Sequence, residues 1–89
     1  MADLKQQFEE ALARIKTLAS TPGNEHLLEL YALYKQSAEG DAHAKRPGPL
    51  DIVGRAKYDA WAKLKGVARE DAMQRYIGLI ASLEAKSAA

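Results

Sequence analysis

Apolar residues recur at spacings of three and four in four separate stretches of this chain, and proline or glycine interrupts the text between them. That periodicity is the signature of helices with one buried face, and no stretch alternates as a strand would. The first stretch lies between Asp3 and Ala19, where Leu4, Phe8, Ala11, Leu12, Ile15, Leu18 and Ala19 share a stripe. Ser20, Thr21, Pro22, Gly23 and Asn24 end it and supply candidate caps for the next. The second helix runs to about Ala38, with Leu27, Leu30, Tyr31, Tyr34 and Ala38 as its expected core stripe.

From Glu39 to Leu50 the text "EGDAHAKRPGPL" carries Gly40, Pro47, Gly48 and Pro49, which rules out regular helix and makes this a true loop. Asp51 has the character of an N-cap for a third helix, "IVGRAKYDAWAKLK", with Ile52, Ala56, Ala60 or Trp61, and Leu64 expected inside and Gly66 at its C′ position. A fourth helix is expected from about Ala68 to near Ala85, on a stripe of Ala72, Met73, Tyr76, Ile77, Ile80 and Leu83. Four one-faced helices with short or moderate connections imply an all-α bundle. Periodicity alone does not order those helices in space.

A chain of 89 residues is expected to form one domain, 1–89, around one core. With 13 basic against 12 acidic side chains the net charge is +1, so the global attraction that nucleic-acid binders use is missing and an anion site has to be local. There is no cysteine, which excludes disulfides and thiolate metal sites and makes the cytoplasm the default compartment. The charged N-terminal text and the lack of any run of about 20 apolar residues point to a protein neither exported nor membrane-embedded. No long apolar stripe is left over once the core is assigned, so a monomer is expected.

Catalysis needs a nucleophile with its base, a carboxylate pair with separated pKa values, or a metal. His26 and His43 have no partner at ligand spacing on their own helix face, and the carboxylates sit on polar faces or in first turns, where they suit the helix dipole. Phosphate-cradling glycine loops are absent. The expectation is a non-enzymatic protein without metal or cofactor.

Rings and cations at the borders of the apolar stripes are more informative. Tyr31 and Lys35 stand one turn apart on helix 2, with Leu28 on the same side. Lys57 lies one turn before Trp61, Tyr76 lies at the margin of the helix 4 stripe, and Lys16 borders the face of helix 1. One reading makes the tyrosines core residues with wet hydroxyls and Lys35 a side chain that snorkels past them. The other makes these edges converge on a cleft with aromatic walls and a cationic rim, suited to a phosphorylated ligand with a flat base. A third possibility is a module whose exposed Leu28 and Leu33 dock a partner helix.

The strings "YALYKQSAEGD", "RPGPLDIVGRAKYDAWAKLKG" and "EDAMQRYIGLI", in that order and spacing, resemble the acyl-CoA-binding protein family, small carriers of fatty acyl-CoA thioesters. The resemblance covers the chain from Phe8 to about Leu83 and implies an up-down-down-up bundle with a shallow bowl for the ligand. It implies that Tyr31, Lys35 and Lys57 hold the 3′-phosphate of the CoA ribose, that Tyr34 stacks on adenine, and that Tyr76 contacts the CoA headgroup. Lys16 would lie near the adenine and thioester, and Leu12, Leu27 and Leu28 would help floor the acyl channel. The implied partners are fatty acyl-CoA esters. Four positions depart from the family pattern: Val53 where a charged or polar residue is frequent, Arg55 for a common lysine, Tyr58 for a frequent tryptophan, and Ala68 where a serine usually caps helix 4.

Overall fold

The computed structural model describes residues 3–88, and among them it contains four α-helices and no strand. Helix α1 spans Leu4–Arg14, α2 Asn24–Glu39, α3 Ile52–Ala62 and α4 Arg69–Ala88. Asp3 caps α1 by accepting from the Gln6 N–H at 2.7 Å. The first helix is shorter than the expected run to Ala19. After Arg14 the chain tightens into a single 3-10 turn, Ile15–Thr17, and the Thr17 hydroxyl donates to the Arg14 carbonyl at 2.8 Å. That turn still leaves Ile15 and Leu18 packed against the core, while Ala19 is exposed.

Contacts across three helix pairs fix the helix directions. Phe8 meets Tyr76, and Arg14 pairs with Glu84, so α1 runs parallel to α4. Gln36, near the end of α2, donates to the Val67 carbonyl just before α4, so α2 runs antiparallel to α4. Lys57 lies over Tyr31 and Lys35 over Trp61, the same offset of residue numbers twice, so α2 and α3 are parallel. The result is an up-down-down-up bundle, in the lateral order α1, α4, α2, α3. The Cα atoms extend over 39 × 28 × 16 Å, so the helices form a flat layer. Among the described residues α3 packs substantially on α2 alone, whereas α2 and α4 each have two helical neighbours.

The core is built from Phe8 and Ala11 of α1, Leu30 and Leu33 of α2, and Ala72, Tyr76, Ile80 and Leu83 of α4. On α2 the buried face differs from the expected stripe. Leu30, Ala32, Leu33, Gln36 and Ser37 are inside, whereas Leu27, Tyr34 and Ala38 are exposed and Tyr31 is half-buried. Polarity misled the pattern here. Gln36 and Ser37 are buried with partners for their donors, the Ser37 hydroxyl donating to the Leu33 carbonyl at 2.7 Å and the Gln36 amide NH2 bridging two other segments, while Gln36 Oε1 is buried without a hydrogen bond. Leu33 is only 4% exposed, so it is a core residue and not the exposed docking residue expected of it. On α3 the expectation for Ile52 also fails, since it is 77% exposed, while Trp61 is buried. The helix ends at Ala62 rather than reaching Lys65, and a turn carries the chain to Gly66, whose φ of 89° suits glycine.

At the start of α4, the Ala68 carbonyl accepts from the Ala72 N–H at 3.0 Å, but an alanine side chain offers no acceptor to the free N–H groups of the first turn. Ala68→Ser is expected to stabilise the protein by about 1 kcal/mol, read as an increase in urea midpoint without change in slope. An unchanged midpoint would show that these N–H groups are already satisfied.

Candidate functional site

The parallel pairing of α2 and α3 matches rings with cations crosswise. On α2, Tyr31 precedes Lys35 by one turn; on α3, Lys57 precedes Trp61 by one turn. The Lys57 ammonium lies 5.4 Å from the Tyr31 ring centroid, and the Lys35 ammonium 4.8 Å from that of Trp61. Both distances lie within the range of cation–π attraction. Below this pair of contacts, between the N-terminal halves of α2 and α3, is a cleft of about 360 Å³. Leu27, Leu28, Ile52, Val53 and Ala56 form its apolar wall, and Tyr31, Lys57 and Asn24 its polar edge. Three of the apolar side chains that the fold leaves exposed, Leu27, Ile52 and Val53, line this cleft, whereas Leu50 stands outside it.

Lys35 is partly shielded and held by Glu39, one turn further along α2, and its pKa is raised chiefly by that hydrogen bond. Glu39 is lowered by the same bond, and its other oxygen lies 3.2 Å from His43 Nε2. Trp61 is fixed from below by donating its Nε1–H to the Gly40 carbonyl at 2.8 Å. Gly40 ends α2 with a φ of 77°, a left-handed conformation that glycine adopts without steric cost.

Tyr34 stands at 42% exposure with its ring roughly parallel to Phe8, the centroids 6.5 Å apart and the planes at 19°. Phe8 in turn meets Tyr76 edge-on at 5.3 Å. Tyr76 is only 3% exposed, so it belongs to the core and not to the margin where periodicity put it; burial pushes its hydroxyl pKa up. Leu12 is half-buried against the core cluster. Lys16 is exposed on the 3-10 turn after α1. The structure thus brings Leu27, Leu28, Tyr31, Lys35 and Lys57 together across α2 and α3. Tyr34 and Tyr76 form a ring stack with Phe8, and Leu12 and Lys16 stay with the first helix and its extension.

Sequence reasoning missed the residues that hold this arrangement in place. Gln36 Nε2 donates to the Asp41 carboxylate and to the Val67 carbonyl, both at 2.8 Å, and the same Asp41 oxygen accepts from the Gly66 N–H at 2.9 Å. One carboxylate thus ties the end of α2 to the α3–α4 turn. The Gly66 and Gln36 hydrogen bonds hold the Asp41 pKa below its ordinary value. A group lowered by folding stabilises the native state above its unfolded pKa, and that contribution disappears as pH falls through the folded value. Glu39, Asp59 and Glu84, each hydrogen-bonded to a cation, are lowered too. Stability is therefore expected to be flat at neutral pH and to fall below about pH 4. Asp41→Asn, which keeps an oxygen for both donors, should lower stability at pH 7 and flatten the acid slope. Parallel pH profiles of the urea midpoint for the two proteins would refute this.

Among the described residues no cluster of three or more His, Asp or Glu side chains has the geometry to hold a metal ion, and no helix is long and apolar enough to cross a membrane. The sequence matches the family model described as "Acyl CoA binding protein" over residues 5–80. It is 49% identical over 81 residues to an acyl-CoA-binding protein homolog of Manduca sexta, covering 90% of each chain. It is also 45% identical along its whole length to part of enoyl-CoA delta isomerase 2 of Rattus norvegicus, of which it spans 23%. The fold superposes on the crystal structure of Oryza sativa acyl-CoA-binding protein 2 with a TM-score of 0.92 at 40% identity, covering 97% of this chain and 94% of that one. A match over most of the sequence, the same helix directions and a cleft walled by the motif residues lead to one assignment: this chain belongs to the acyl-CoA-binding protein family.

Proposed function

We propose that this protein binds, sequesters and transports fatty acyl-CoA esters without chemistry of its own, with the α2–α3 cleft taking the acyl chain and the cation–ring pairs above it taking the nucleotide. The observation that carries this reading is the juxtaposition of an apolar cleft with Tyr31, Lys35 and Lys57 at one edge. Lys35 and Lys57 offer charge-assisted hydrogen bonds to the ribose 3′-phosphate, each contributing about 1.5 to 3 kcal/mol. Tyr34, exposed on one side of its Phe8 stack, offers a face for adenine, in keeping with the family resemblance. Tyr76 acts from beneath, its ring supporting Phe8 and through it Tyr34. Lys16 reaches the nucleotide from the α1 side, and Leu12 contributes to the floor.

The carrier is read as a cytoplasmic monomer that binds no nucleic acid. The near balance of charge supports the last point.

Calorimetry with palmitoyl-CoA, free CoA and palmitate tests the reading directly. Tight binding is expected for palmitoyl-CoA alone, because palmitate lacks the phosphate handle and CoA lacks the tail. Lys35→Ala should weaken palmitoyl-CoA binding by about 10-fold or more while the protein stays folded. Equal affinity for palmitate and palmitoyl-CoA would refute the reading, and hydrolysis of the thioester during titration would replace it with an enzyme.

A further inference from the structure

Glu39 is oddly placed for a residue whose task is to stabilise a helix. It is the last residue of α2, at the negative end of the helix dipole, and the last turn carries no basic residue to offset it. Its ion pair with Lys35 runs from cation to anion in the N-to-C direction, the weaker of the two orders for residues four apart. Helix stability therefore does not account for a carboxylate here. Its two oxygens are divided instead between the Lys35 ammonium and His43 Nε2. His43 in turn meets the Trp61 ring edge-on at 5.5 Å, the same ring that Lys35 overlies. Lys35 and Glu39, one turn apart on α2, and His43, in the loop after Gly40, form a linked file bordered by Trp61.

Resting on the carrier reading above, we infer that Glu39 is a built-in competitor for the anion site: its carboxylate occupies Lys35 in the empty protein and is displaced by the ligand's 3′-phosphate, with His43 as the partner that keeps it once displaced. The phosphate and the carboxylate compete for the same ammonium donors, so every binding event breaks the Lys35–Glu39 pair. Glu39 thereby sets how strongly a phosphate must compete to be accepted. A 3′-phosphorylated nucleotide, with two negative charges, displaces it; a ligand lacking that phosphate has nothing to offer Lys35 in exchange. The His43 bond lets the carboxylate swing aside on one oxygen without being left unpaired beside the incoming anion. With Glu39 side-chain exposure at 39% and His43 at 62%, both have room to move.

The test is calorimetric titration of wild type and Glu39→Gln with palmitoyl-CoA and with its analogue lacking the 3′-phosphate. Removing the competing charge should tighten palmitoyl-CoA binding by about 2- to 5-fold, the scale of an exposed ion pair, and leave the dephosphorylated thioester unchanged. In a Lys35→Ala background the same substitution should have no effect, since the two residues then act as one unit. His43→Ala should weaken palmitoyl-CoA binding and leave the dephosphorylated analogue alone. A single cooperative melt for Glu39→Gln, within a few degrees of wild type, would show that the fold is intact. The inference is overturned if Glu39→Gln leaves palmitoyl-CoA affinity unchanged or weaker, or tightens both thioesters equally. Those results leave the carrier reading standing, whereas wild type that fails to bind palmitoyl-CoA at all ends both.

Discussion

Shortening the acyl chain of a bound CoA ester from sixteen to twelve carbons is expected to weaken binding by between about 10- and 200-fold. Four methylenes, fully buried, carry about 3 kcal/mol, and the lower bound allows for a cleft open to solvent on one side. The wall proposed to receive them consists of Leu27, Leu28, Ile52, Val53 and Ala56, and the polar residues at its edge are Asn24, Tyr31 and Lys57. Most of the binding free energy should therefore follow tail length, with the phosphate and base deciding which molecule is admitted. Association also costs roughly 4 to 15 kcal/mol in lost freedom, which explains why the headgroup contacts alone should be insufficient for tight binding. Titration of a homologous series from eight to eighteen carbons checks this; affinity independent of length would place the tail outside the cleft. Val53→Lys, which puts an ammonium on the wall, should reduce the dependence on length.

Trp61→Ala should have the largest effect on stability of the substitutions discussed, about 3 to 5 kcal/mol. A domain of this size has roughly 5 to 10 kcal/mol in total, so the variant would be close to unfolding at body temperature. The ring is 3% exposed, and its indole N–H holds the Gly40 carbonyl. Truncation creates a cavity where, among the described residues, α3 has its only substantial helical contact, and it also removes the ring under Lys35. Trp61→Phe separates the two contributions. It keeps most of the volume and loses the hydrogen bond, and should cost about 1 to 3 kcal/mol. Thermal melts of both variants decide the matter. A loss below about 1 kcal/mol for Trp61→Ala would mean that α3 is held by something other than this side chain.

Much of the fold could be read from spacing. The α4 stripe of Ala72, Tyr76, Ile80 and Leu83 is uninterrupted by polar residues, and periodicity found it; the same holds for Phe8 and Ala11 on α1. The α2 face was misread because its buried side includes Gln36 and Ser37 while its exposed side includes Leu27 and Tyr34. A polar residue can be buried when its donors find partners, and those of Gln36 and Ser37 are Asp41, Val67 and Leu33, mostly in other segments. Ile52 is expected inward for the reverse reason, since an apolar side chain that lines an open cleft has the same composition as one in the core. The pairing of Tyr31 with Lys57 and of Lys35 with Trp61 depends on α2 and α3 being parallel and in register. That is a tertiary fact, and only the family resemblance anticipated the convergence.

The lateral order α1, α4, α2, α3 leaves the third helix as the outermost plank, fastened along one side. A side chain on its free flank can change without disturbing the Phe8–Tyr76–Ile80 interior, because few atoms of that interior touch it. Cargo preference and folding thus draw on largely separate sets of positions. On the proposed function, drift at Ile52, Val53 or Ala56 would retune which tails are carried while Trp61 keeps α3 fastened to its neighbour.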